Sequence, residues 1–165
     1  MLDVLIKAPG WREVAVEALA AQAVMHTLAY LDLPFEDTEI SLLACDDARI
    51  AVLNADFRGK QSATNVLSWP ATELSCEHEG QPPHRPEPDV EGFYELGDIA
   101  IAYETCAREA VELGRTLEAH FTHLIVHGTL HLLGYDHVRD CDATLMQALE
   151  IEILGKMGLD DPYRV

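Results

Sequence analysis

The chain has 165 residues, 48% of them hydrophobic, and a formal net charge of -18 from 11 Lys and Arg against 29 Asp and Glu. That length suits one domain, 1–165, with a core of useful size. The charge balance argues against a general basic surface for nucleic acid, because phosphate contacts normally supply that affinity. The apolar runs are all interrupted, no basic-then-apolar leader opens the chain, and the four cysteines form no Cys-x-x-Cys pair. The expectation is a cytoplasmic protein with reduced thiols and no membrane association.

Residues 2–7 alternate apolar and polar and predict a strand, closed by Pro9-Gly10. Residues 12–31 carry Ala, Val, Leu and Glu at helical spacing and predict a helix that ends before Pro34. A second strand is predicted over 39–45. Asp46-Asp47 then reads as the N-terminus of a helix running to about Phe57, with Gly59 beyond it. A short strand is expected over 65–69. From Pro70 to Glu95 four further prolines, Pro82, Pro83, Pro86 and Pro88, sit among many carboxylates, which predicts a mobile acidic loop inside the domain. A strand over 96–102 and a helix over 104–113 follow. Thr116 is placed to cap a long helix, and a last helix covers about 141–157. Strands and helices mix without strict alternation, so the fold class is α+β: a single domain with one small mixed sheet packed with helices.

The long helix carries His127 and His131. On a helix these lie about 6 Å apart along the axis and about 40° apart around it, so both imidazoles can face one ion. Gly134 lets the chain turn out of the helix, and His137 returns from outside it. Three histidines with a fourth position open are the donor set of a catalytic zinc site. The expected cofactor is one zinc ion per chain, although nickel, copper and cobalt also accept imidazole. The spacing His-x-x-x-His-x-x-Gly-x-x-His matches the zinc signature of the metzincins, giving a metzincin-like zinc helix, but Gly128 stands where that signature has its general-base Glu. Asp98 and Asp136 are the candidates for that base, and Asp136 is equally a candidate to orient an imidazole. His123, one turn before His127, is a candidate for orienting the ligands or packing beneath them.

The segment from His127 to His137 resembles the signature of the YbeY family of bacterial rRNA-processing endoribonucleases. Asn54 to Arg58, followed by Thr64-Asn65-Val66-Leu67-Ser68-Trp69-Pro70, and the stretch Leu96-Gly97-Asp98-Ile99 resemble two further elements of that family. Ala63 and Trp69 depart from it, standing where Pro and Phe are usual. The resemblance implies a zinc-dependent, single-strand-specific endoribonuclease acting in 16S rRNA 3′-end maturation and ribosome quality control. It implies metal ligation by His127, His131 and His137, and an important arginine at Arg58. A guanidinium there suits a bidentate grip on phosphate. The implied partners are single-stranded rRNA, the small ribosomal subunit and ribosome-assembly proteins.

Two other readings remain open on the sequence. A metallopeptidase would follow from the metzincin-like spacing, against the missing Glu. A non-catalytic ribosome-assembly factor with a structural zinc would suit the acidic surface, which favours basic proteins over free RNA.

Overall fold

The computed structural model describes residues 1–60 and 62–164. Four strands form one sheet: β1 (Leu2–Ile6), β2 (Thr38–Cys45), β3 (Val66–Pro70) and β4 (Tyr94–Ala102). Their spatial order is β1-β2-β4-β3. The first three in space are parallel, and β3 runs antiparallel at one edge. Among the described residues five α-helices accompany them: α1 (Val16–Tyr30), α2 (Asp47–Arg58), α3 (Tyr103–Glu112), α4 (Leu117–Leu132) and α5 (Asp140–Lys156). The small mixed sheet packed with helices is the predicted α+β class.

Alternation along the strands sorts residues between the two faces of the sheet. Ile40, Leu42, Ile99 and Ile101 enter the main core with α1, α4 and α5. Leu67, Ala100 and Ala102 enter a smaller cluster with Ile50 on the other face, beneath α2. Helix α4 runs through the middle of the main core, and Phe121, Ile125, Leu130 and Leu132 are fully buried along it. It approaches the sheet tightly at Gly128. A Cβ there would meet Ser68 Oγ at 3.2 Å and Ile99 Cδ1 at 3.3 Å.

The caps follow the sequence. Asp46 accepts the Arg49 N–H at 2.8 Å at the start of α2, and Thr116 Oγ1 accepts the Ala119 N–H at 3.1 Å at the start of α4. At the other end of α4, Gly134 takes φ 97°. Its N–H donates to the His131 carbonyl at 3.0 Å, and the Tyr135 N–H donates to the Leu130 carbonyl at 3.1 Å. This is a Schellman closure, and it throws the chain towards His137.

Two expectations change. The first helix begins later than predicted, because residues Pro9–Glu13 form a 3-10 turn. That turn buries Trp11, whose indole N–H donates to the Cys45 carbonyl at 2.9 Å. The acidic segment between β3 and β4 has no regular element, yet it is tied down rather than standing off the core. Arg139 donates to the carbonyls of Cys76 (2.9 Å) and Glu77 (3.0 Å), and Asp142 accepts the Gly80 N–H at 2.8 Å. Arg85 donates to the Leu31 carbonyl at 3.1 Å.

At Gly134 a Cβ would be strained by the positive φ and would meet Leu74 backbone and Pro83 at 2.8 Å. Gly134→Ala is expected to destabilise the fold by about 2–3 kcal/mol, adding close contacts to the left-handed penalty. Urea unfolding of the two chains measures it, and equal midpoints would count against the turn geometry.

Candidate metal centre

The histidines of α4 and the turn after it come together. His127 Nε2 and His131 Nε2 are 3.1 Å apart. The His137 ring lies 5.3 Å from that of His127 and 5.0 Å from that of His131, centroid to centroid. One ring nitrogen from each of the three lies within 4.8 Å of the others. A tetrahedral zinc with Zn–N of about 2.0–2.1 Å places two nitrogens roughly 3.3 Å apart, so the donors present fit such an ion. His127 and His131 are half-buried on the helix, whereas His137 is exposed on the turn.

The orientation of His127 is set from below. Its Nδ1 lies 3.1 Å from Glu150 Oε1 on α5, and His123 Nε2 lies 2.7 Å from the same oxygen. An ionised carboxylate only accepts, so both ring nitrogens donate to it. His127 is therefore the Nδ1–H tautomer, and its Nε2 lone pair faces His131. Histidine ligands of metals commonly donate their other N–H to a carboxylate in this way. His123, Glu150 and His127 also form a second compact cluster of donor atoms. It shares His127 with the first, and its short contacts are the hydrogen bonds just given. His123 thus lies beneath the site, bonded to the same carboxylate.

Burial pushes the His131 pKa down to about 4, helped by the charges of His127 and His137. Its imidazole stays neutral at physiological pH, the form that binds a metal. Burial pushes the Glu150 carboxyl up, but the hydrogen bonds it accepts from His123 and His127 outweigh that and hold it down at about 2.

The three histidines open onto a cavity of about 570 Å³. Arg58, at the C-terminal end of α2, lines it, with Thr64, Asn65 and Ser68 from the β3 side. Arg58 is exposed, and none of the ion pairs among the described residues involves it. Its guanidinium is thus available to a ligand in the cavity. Asp136 also lines the cavity, and its Oδ1 accepts the His137 backbone N–H at 2.7 Å, which braces the turn. No hydrogen bond joins it to an imidazole among the described residues.

Asp98 is elsewhere. It pairs with Trp69 across β4 and β3, one register step from Ser68 and Ile99, so it points out of the opposite face of the sheet. There it lines a groove with Asp3, Ser41 and Phe57. It is not brought to the histidines, which removes it as a base. Glu73 is brought there instead, as a carboxylate of the acidic segment lining the cavity. Hydrogen bonds from the Ser75 hydroxyl (2.5 Å) and backbone N–H (3.0 Å) lower its pKa and keep it ionised. Sequence reasoning missed Glu73 and Glu150. The one available signal for Glu150 was its place on the apolar stripe of Met146, Ile153 and Leu154 in α5.

A family profile described as Endoribonuclease YbeY matches residues 7–158. The chain belongs to the YbeY family. It is 56% identical to the Endoribonuclease YbeY of Ruegeria sp. (strain TM1040) over 163 residues, 99% of this chain and 96% of the relative. It is 57% identical to that of Ruegeria pomeroyi, over 98% of this chain and 97% of the relative. The solution structure of TM1509 from Thermotoga maritima covers both chains fully at TM-score 0.53 and 20% identity, a likeness of fold. In this family member the position of the metzincin Glu, at Gly128, is buried against the sheet and does not face the cavity.

A pH prediction follows for the metal-free protein. Unfolded His131 protonates near 6.5 but folded His131 only near 4, so its contribution to stability is present above pH 6.5 and lost as pH falls towards 4. Comparison with His131→Asn cancels the general charge effects of so acidic a chain. The melting temperature of the wild type relative to that variant should drop by ~5 °C or more between pH 7 and pH 4. A constant difference would contradict the burial argument.

Proposed function

We propose that this chain is a zinc-dependent, single-strand-specific endoribonuclease, with His127, His131 and His137 holding one zinc ion. The observation that carries the reading is the convergence of these three imidazoles on one cavity with Arg58 at its wall. Family membership supplies the substrate class, since the relatives are named as endoribonucleases. We extend it to 16S rRNA 3′-end maturation and ribosome quality control in the cytoplasm, with the small ribosomal subunit and its assembly proteins as partners. Among the described residues no helix is long and apolar enough to cross a membrane.

Bound zinc supplies a Lewis acid for a phosphoryl oxygen and lowers the pKa of water. The chain's own residues do the rest. Arg58 grips the scissile phosphate and offsets charge that develops on it during cleavage. Thr64, Asn65 and Ser68 offer hydrogen-bonding groups along the same wall. Glu73 and Asp136 are carboxylates lining the cavity and take the role of proton acceptor. The ribosomal partners answer the charge problem: basic proteins bring an acidic enzyme to RNA that its own surface repels.

The peptidase alternative weakens further, because the buried Gly128 leaves no room for an acid group reaching the cavity from that position. Zinc-loaded protein should cut single-stranded RNA spanning the 16S 3′ end and leave the same sequence intact as a duplex. His131→Ala should abolish cleavage, and Arg58→Ala should lower kcat/KM by about a hundredfold, the usual scale for one lost charge-stabilising donor. Wild-type activity in His131→Ala would sink the proposal.

A further inference from the structure

Glu150 is fully buried, and its two oxygens face different neighbours. Oε1 takes the imidazole N–H groups of His123 and His127. Oε2 takes the hydroxyl of Tyr163 at 2.8 Å. No lysine or arginine pairs with this carboxylate among the described residues. An anion without access to water therefore relies on three neutral-capable donors, two imidazoles and one phenol.

Tyr163 comes from a turn beyond α5 that folds back over the helices. The Tyr163 backbone N–H donates to Asp161 Oδ1 at 2.8 Å, and the Arg115 guanidinium donates to the Pro162 carbonyl. The Tyr163 ring meets the His123 ring edge to face, with centroids 5.6 Å apart. Burial and the neighbouring Glu150 charge raise the pKa of the phenol, so it keeps its proton and remains a donor. The terminal torsion of a glutamate is broad and roughly two-fold, so a carboxylate held by one oxygen still rocks. Held by both, it presents Oε1 in one orientation.

We propose that Tyr163 is a positioning residue for the metal centre. By fixing Oε2 of Glu150 it holds Oε1 under His127, keeping that imidazole in its Nδ1–H tautomer with Nε2 turned to the other ligands. The inference rests on the reading of the three histidines as ligands. Tyr163 touches neither the ion nor the RNA, and it acts through Glu150 alone.

Tyr163→Phe removes one hydroxyl and leaves the ring and the turn in place. Zinc affinity, read by competition with a chromophoric chelator, should fall about tenfold, the low end of the loss typical for partners of metal-ligating histidines. In the metal-free protein, ¹⁵N NMR of the imidazoles should report less Nδ1–H tautomer at His127. Tyr163→Phe added to Glu150→Gln should lower affinity little further, since both act on one path. Arg115→Ala, which frees the Pro162 carbonyl but keeps the phenol, should give a smaller loss of the same kind and serves if Tyr163→Phe does not fold. Unchanged affinity with an unchanged tautomer would overturn the proposal, as would full additivity in the double variant. Equal zinc affinity in wild type and His131→Ala would instead defeat the ligand reading, while the metal-free tautomer measurement would still decide the role of Tyr163.

Discussion

At Gly128 helix α4 lies against the side chains of the sheet with none of its own between them, and the rest of the arrangement follows from that contact. Ser68 Oγ reaches the Gly128 carbonyl at 3.3 Å, and Ile99 packs beneath. A side chain at this position would crowd both of them, one residue from His127. The same residue that removes the peptidase base from the zinc-helix pattern thus has a packing reason to be small. Because β3 is the edge strand, the helix face just beyond this contact is left open, and the cavity forms there between β3, the end of α2 and the turn after Gly134.

Beneath the histidines the electrostatics are arranged to suit a cation. Three neutral imidazoles would leave an ion's charge uncompensated, and Glu150 would supply one negative charge through His127 without entering the cavity. A chain of hydrogen bonds from Tyr163 through Glu150 to His127 links a turn at the far end of α5 to the centre. The second ring nitrogens of His120 and His123 have no partner among the described residues, so the helix carries polar groups deep into its apolar side.

Much of this was legible in the amino-acid order. The three histidines and Gly134 follow from spacing, since helical periodicity fixes the first two and a left-handed glycine is the obvious way to reach the third. The strands were legible from alternation and the helix starts from Asp46 and Thr116. The parts that were not legible depend on partners distant in sequence. Asp98 looked like a neighbour of the site because it lies in a recognisable strand. Only the pairing of Trp69 with Asp98 shows which face it takes, and one residue of register reverses it. Glu150 is one of 29 acidic residues, and only the packing of α5 on α4 reveals that it is buried. The acidic segment looked unattached because Arg139, which fastens it, lies some sixty residues further on.

The parallel pairing of β1, β2 and β4 has a consequence for how the chain reaches this state. Each of those pairings joins segments separated by a crossover, and β4 enters the sheet only after β3 and the long acidic segment have emerged. Non-local pairing of this kind makes folding slow relative to helix formation, because the loops must close before the contacts form. Helix α4, whose first two histidines are local neighbours, can form early. Arg58 and Glu150 meet it only when the sheet and α5 have docked. A half-folded chain would therefore carry His127 and His131 side by side on a formed helix before Arg58 and Glu150 had been brought to them.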